Sequence, residues 1–256
     1  MKVLMIGDVV GEGGCNFLCL KLPNIRRSKQ LDLIVANGEN SAAENGISHK
    51  SMRSLMNAGV DVITTGNHAF RNHQMEEMFE QCEFLLRPIN FPPESPGHGF
   101  FVYDKGPFQV CVINVIGNVF MQTANGNPFE AIDKVLAQNQ HKITLVDFHA
   151  EATGEKKAFA FHLDGRVSAL VGTHTHVQTA DEQILPKGTA YISDLGMVGA
   201  IVSVVGVSPE SALSNRSPDS PIKHKTAGGP HEICGVILTI DEITGKASKI
   251  ERFRQI

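Results

Sequence analysis

Seven short apolar runs recur along the chain, and each stops at a polar or glycine-bearing turn. Residues 2–6 (KVLMI) stop at Gly7-Asp8, 31–36 (LDLIVA) at Asn37-Gly38-Glu39-Asn40, and 60–65 (VDVITT) at Gly66-Asn67-His68. Residues 109–115 (QVCVINV) stop at Ile116-Gly117-Asn118, and 143–147 (ITLVD) at Phe148-His149. Residues 169–172 (ALVG) stop at Thr173-His174-Thr175-His176, and 189–193 (TAYIS) at Asp194-Leu195-Gly196. Runs this short and this free of polar residues fit strands covered on both faces. Helical spacings lie between them. Met52, Leu55 and Met56 recur over 48–58 with Gly59 as a stop, and Met75, Met78 and Phe79 recur over 72–82. Asn127-Pro128-Phe129-Glu130 reads as a cap, a first-turn proline and a first-turn acid, ahead of an apolar stripe at Ala131, Ile132, Val135 and Leu136. Over 15–30 the pattern is weaker, and Pro23 is expected to kink or end any helix there. Residues 234–253 alternate like a hairpin that closes a sheet edge. Residues 208–230, rich in Ser, Pro, Gly and Lys, read as a long surface excursion. Strands alternating with helices define a layered α/β sandwich, with central β-sheets flanked by helices. No linker divides the chain, so residues 1–256 are expected to form one domain.

The position of the polar residues carries the functional information. Asp8, Glu39 with Asn40, Asn67-His68, His149, and His174 with His176 all fall just past the ends of predicted strands. The carboxyl ends of strands line the ligand crevice of open α/β sheets. The pattern therefore predicts carboxylates, amides and imidazoles meeting along one sheet edge. Taken singly, each residue has a plainer reading: a helix cap for Asp8, turn residues for Glu39 and Asn40, a turn and cap for Asn67 and His68, a core histidine for His149. In extended backbone, residues two apart point the same way, so His174 and His176 are expected to converge on one point. An oxygen–nitrogen donor set without thiolate suits Fe, Mn, Zn or Ni better than Mg or Ca. It holds more donors than one ion needs, which favours two ions sharing a carboxylate.

Composition removes several other classes. A net charge of −4 argues against binding a nucleic-acid duplex by bulk electrostatics. Five cysteines, with no CxxC pair, argue against disulfides and zinc–thiolate sites and point to a cytoplasmic protein. No secretory leader is evident, and no apolar stretch reaches membrane-span length; the run at 197–207 (MVGAIVSVVGV) is too short and glycine-rich. The glycine-rich GDVVGEGG invites a nucleotide-binding reading, but Gly11, Gly13 and Gly14 do not space as GxGxxG.

The motifs GDVVG (7–11), ANGENSA (36–42), GNH (66–68), DFHAEAT (147–153) and VGTHTHVQTAD (171–181) resemble the YmdB-like branch of the calcineurin-like metallophosphoesterases. LLRP (85–88), LDGRVSALVG (163–172) and ISDLGM (192–197) extend the likeness, which thins after about residue 199. The superfamily's usual Asp-x-His opening is absent, since Val9-Val10 follow Asp8, and Glu39 stands where a bridging Asp is usual. Phe70-Arg71 replace the branch's Trp-Asp, and Val198 replaces a Thr. The resemblance implies one metal held by Asp8, Glu39, Asn40 and His176, with Asn40 using its carbonyl, and a second held by Glu39, Asn67, His149 and His174. It implies iron or manganese, with zinc as an alternative. It also implies a phosphodiesterase acting on 2′,3′- or 3′,5′-cyclic nucleotides. Two ions there are expected to generate a bridging hydroxide, and His68, whose neighbour Asn67 supplies a ligand, is the expected general acid. Gly46, Arg71, His73 and residues 92–99 are expected wall elements. A phosphomonoesterase and a non-catalytic metal-binding regulator are the competing readings. A homo-oligomer using residues 197–230 is a further expectation.

Overall fold

A computed structural model describes every residue except 44, 72–74, 107, 122–124 and 215–224. The first half runs β1 (Lys2–Val9), α1 (Gly11–Lys29), β2 (Leu33–Asn37), α2 (His49–Ala58), β3 (Val62–Thr64), α3 (Met75–Gln81), β4 (Phe100–Asp104) and β5 (Gln109–Ile116). The second half runs α4 (Pro128–Gln138), β6 (Ile143–His149), α5 (Thr153–Leu163), β7 (Ala169–Thr173), β8 (Gln183–Ile184), β9 (Ala190–Ile192), β10 (Met197–Ala200), α6 (Pro209–Ser214), β11 (His231–Ile240) and β12 (Ala247–Gln255).

The strands form two six-stranded sheets, ordered β12-β11-β10-β1-β2-β3 and β4-β5-β6-β7-β9-β8. Strands β10, β1, β2 and β3 of the first sheet and β5, β6, β7 and β9 of the second run parallel; β11 is antiparallel to β1, β10 and the edge strand β12, and β4 and β8 are antiparallel edges of the second sheet. The two sheets stack. Val3, Met5, Val35 and Val62 of the first pack against Val110, Val112, Leu145 and Val171 of the second in one buried layer. The other face of β1, Leu4 and Ile6, meets Leu18 and Leu22 of α1 and Leu55 of α2. On the far side, Ile113, Val146 and Phe148 meet Ile132 of α4 and Phe159 and Leu163 of α5. Successive residues of one strand thus serve opposite layers, which is why the strands carry no polar alternation. Each fully buried Leu, Ile, Val or Phe contributes about 1.5–3 kcal/mol.

All seven apolar runs are strands, and the C-terminal hairpin occupies a sheet edge as expected. Asn127 caps α4, its side chain accepting from the Phe129 N–H, and Gly59 ends α2 in the left-handed region with φ 100°. Two expectations are corrected. Helix α1 runs through Pro23 without ending, because Leu18, Leu22 and Ile25 are buried while Pro23 lies on the exposed face, where the carbonyl freed by the missing N–H can meet water. The single sheet edge is in fact two: the strand ends that carry the polar residues come from both stacked sheets. The middle of the 208–230 excursion and His73 lie outside the described residues. The excursion's described ends are tied down, Ser208 N–H donating to Lys225 O and Ala227 N–H to Gly206 O. Among the described residues, no helix is long and apolar enough to cross a membrane.

Candidate metal centre

The carboxyl ends of β1, β2 and β3 in one sheet meet those of β6 and β7 in the other. The β1–β2 pairing shifts register between Ile6 and Asp8, and the Asp8 carboxylate lies at this junction, where its Oδ2 accepts from the His174 N–H. Close packing there excludes side chains at two glycines. A Cβ on Gly7 would lie 1.9 Å from Gly196 O, and one on Gly66 would lie 2.1 Å from the His149 ring. The GNH glycine is therefore what admits the imidazole of β6 beside the β3 loop.

Two groups of donor atoms result. In one, His149 Nε2 lies 2.9 Å from Asn67 Oδ1, 3.0 Å from His174 Nδ1 and 3.2 Å from Glu39 Oε1. Glu39, His149 and His174 each offer an atom within 4.8 Å of the other two. In the other, His176 Nε2 lies 3.6 Å from Asp8 Oδ1 and 3.2 Å from Asn40 Nδ2, which is itself 3.3 Å from Glu39 Oε1. Glu39 thus touches both groups. His68 stands at the boundary: its backbone N–H donates to Glu39 Oε2, and its Nδ1 is 2.9 Å from Asn40 Oδ1 and 3.1 Å from Glu39 Oε1.

His174 and His176 do not converge on one point. The strand ends at Thr173, and both histidines take left-handed backbone, with φ 103° and 64°. That conformation costs L-residues about 1–3 kcal/mol each, and the surroundings over-determine it. Asp8 Oδ2 accepts from the His174 N–H, and Asp194 Oδ2 accepts from the Thr175 N–H between the two histidines. The Lys156 ammonium, buried in α5, donates to Thr173 O and Asp194 Oδ2. The turned backbone sends His174 to the His149 group and His176 to the Asp8 group. The sequence reading missed the Lys156–Asp194 pair, because a lysine between Glu155 and Lys157 looks like a solvent-facing helix residue.

The far nitrogens of these two rings are also held. His174 Nε2 lies 3.2 Å from Glu151 Oε2, and His176 Nδ1 lies 2.9 Å from Val205 O. Metal-ligating histidines show this pattern, one nitrogen presented and the other given to an acceptor.

The electrostatics fit a cation. Asp8 and Glu39 are fully buried, and Asp8 Oδ1 has no hydrogen-bond partner. Burial works to raise both carboxyls. His176 and His149 outweigh it at Asp8, and His149 and His68 at Glu39, so Asp8 lies below and Glu39 well below the ordinary value. In return, burial works to lower His149 and His176, but Glu39 lifts the first to about 8 and Asp8 lifts the second to about 9. Burial, joined by the neighbouring His149, drives His174 down to about 4. Glu39 Oε1 and Asn67 Oδ1 only accept hydrogen bonds and both close on His149 Nε2, so they share either the proton of that nitrogen or, where it is bare, a cation. The donor set and the orphaned Asp8 oxygen therefore fit transition-metal ions. At Asn40 the fit needs an adjustment: its Oδ1 faces His68 and its Nδ2 faces the Asp8 group, so ligation by the carbonyl requires the amide to turn over.

Of the expected wall elements, Gly46 lies against Arg71 and the His68 carbonyl. Within residues 92–99, Pro96 O and His98 O accept from Arg87, and Gly99 O accepts from the Asn114 N–H.

The chain is 39% identical to the 2′,3′-cyclic-nucleotide 2′-phosphodiesterase of Bacillus subtilis, over 98% of this chain and 96% of that protein. The crystal structure of a hypothetical protein from Thermus thermophilus superposes with TM-score 0.94 at 39% identity, covering 100% of this chain and 99% of that one. A structure described as a novel phosphatase from Mycoplasma pneumoniae superposes with TM-score 0.93 at 33% identity, covering 100% and 93%. Fold and relatives together define a hydrolase of the metallophosphoesterase type. More particularly, the chain belongs to the YmdB-like protein family, whose profile matches residues 4–253.

Proposed function

We propose that the protein hydrolyses phosphodiesters, cyclic nucleotides of the 2′,3′ type foremost and 3′,5′ as a second candidate, with two transition-metal ions, iron or manganese ahead of zinc. The observation that carries this is the double donor group joined by Glu39, with the orphaned Asp8 oxygen in one half. The 2′,3′ preference draws on the name of the Bacillus subtilis relative. Asp8, Glu39, Asn40 with its amide turned, and His176 would hold one ion; Glu39, Asn67, His149 and His174 would hold the other. What the ions supply, when bound, is Lewis-acid polarisation of the phosphoryl group and acidification of water.

The chain's own residues do the rest. Glu39 fixes the His68 backbone through Oε2 and holds His68 Nδ1 through Oε1, 3.1 Å away, which leaves Nε2 to face the substrate. From Nε2 the proton passes to the leaving oxygen. The layer shared by the two sheets fits a single folding unit over residues 1–256, since removing either sheet would expose the other's inner face.

The test is hydrolysis of bis(p-nitrophenyl) phosphate and of 2′,3′-cyclic AMP with added Mn²⁺, repeated with excess chelator, with p-nitrophenyl phosphate as the monoester comparison. Turnover of the two diesters that chelator abolishes and Mn²⁺ restores is expected. Turnover indifferent to chelator, or a preference for the monoester, contradicts the proposal.

A further inference from the structure

Resting on the metal reading above, we propose that Thr173 and Asp147 are positioning residues: a hydroxyl relay from the Asp147 carboxylate through Thr173 holds the His149 Nδ1 proton, so that Nε2 is the nitrogen presented to the ion.

The strand register builds the relay. His149 on β6 pairs with Thr173 on β7, and Asp147 lies two residues before His149 on the same face. Thr173 Oγ1 lies 2.7 Å from Asp147 Oδ1 and 2.9 Å from His149 Nδ1. All three residues are buried. The other Asp147 oxygen takes the Thr64 hydroxyl and, at 3.2 Å, the Asn37 amide, both from the opposite sheet.

Hydrogen-bond chemistry then fixes the direction. Three donors facing two oxygens is the set an ionised carboxylate accepts. The single Thr173 proton is therefore committed to Asp147, because turning it toward His149 would leave two bare oxygens 2.7 Å apart inside the protein. With its proton committed, Thr173 Oγ1 can only accept, and His149 Nδ1 must donate. Asn37 offers no alternative proton to Nδ1. Its two amide hydrogens face Thr65 O and Asp147 Oδ2, each at 3.2 Å, whereas His149 Nδ1 is 3.4 Å away. The ring's lone pair consequently sits on Nε2, the atom surrounded by Glu39, Asn67 and His174. His149 thereby matches the other two histidines, with a hydroxyl interposed before the carboxylate. The resemblance puts only the two histidines of Thr-His-Thr-His on the metals; the relay gives the first threonine a task.

Two measurements test this. Long-range ¹H–¹⁵N correlation on the wild-type protein loaded with Zn²⁺ locates the His149 proton. The proton is expected on Nδ1, and a proton on Nε2 overturns the relay. Zn²⁺ titration calorimetry then compares variants. Thr173→Val, which keeps shape and loses the hydroxyl, is expected to bind about 10–100-fold more weakly, and Thr173→Ser to stay near wild type. A folded Thr173→Val with wild-type affinity overturns the relay, as does a Thr173→Ser as weak as the valine variant. If Thr173→Val does not fold, the wild-type spectrum and the serine variant still decide. If wild-type protein binds no Zn²⁺, the metal reading fails and the relay with it; if it binds Zn²⁺ and a folded Thr173→Val binds as tightly, the relay alone fails.

Discussion

Replacing His68 with alanine is expected to lower turnover of substrates with poor leaving groups by about 10²–10⁴-fold while leaving the metal content unchanged. The expectation follows from where the ring sits. His68 borders both donor groups, yet its Nδ1 is turned to Glu39 Oε1 and to the Asn40 amide and so is spent on protein groups. The neighbouring Asn67 side chain, by contrast, joins the His149 group directly. Leaving-group dependence separates this role from a structural one. A nitrophenolate leaves without protonation, so a general acid matters little for it, whereas a ribose alkoxide needs the proton. The variant should therefore retain far more activity toward bis(p-nitrophenyl) phosphate than toward a cyclic nucleotide. Parallel assays with metal analysis check this. Loss of metal together with loss of all activity would make His68 a ligand or a structural support.

Asp8→Ala is expected to show the complementary result: lost metal first, and lost activity as its consequence. Asp8 is fully buried, and its Oδ1 finds no donor within the protein. A buried charge of this kind costs several kcal/mol unless a partner offsets it, and a cation shared with His176 and Glu39 is the partner that the site can accept. The variant should lose at least one of two metal equivalents. It should also lose part of the thermal stabilisation that Mn²⁺ gives the wild type. That stabilisation amounts to about 2.7 kcal/mol when free metal is 100 times its Kd. Elemental analysis and melting curves with and without Mn²⁺ check both. His149→Ala should behave in the same way. Full metal content in Asp8→Ala would remove Asp8 from the centre.

Much of this architecture is legible in the sequence, for identifiable reasons. A strand covered on both faces has no polar residue until it emerges at its end. The seven runs therefore announce both the strands and the places where ligands can stand, and Asp8, Glu39, Asn67 and His149 all lie at such ends. The division into two sheets is not legible, because Val62 and Val110 look alike whichever sheet they join. Nor is the path of Thr-His-Thr-His. Extended backbone would put both imidazoles on one point, whereas left-handed φ at His174 and His176 sends them to separate groups, and that turn is imposed by Asp8, Asp194 and Lys156 from distant stretches of chain. Pro23 misleads for a related reason: local propensity favours a break, but three buried apolar residues of α1 carry the helix past it.

The most direct test of the account is the metal content of protein purified without exposure to oxygen or chelator. About two equivalents of iron, manganese or zinc per chain, removed together with diester hydrolysis by chelator, is the predicted result. A chain that carries no transition metal and still cleaves phosphodiesters at full rate would contradict it.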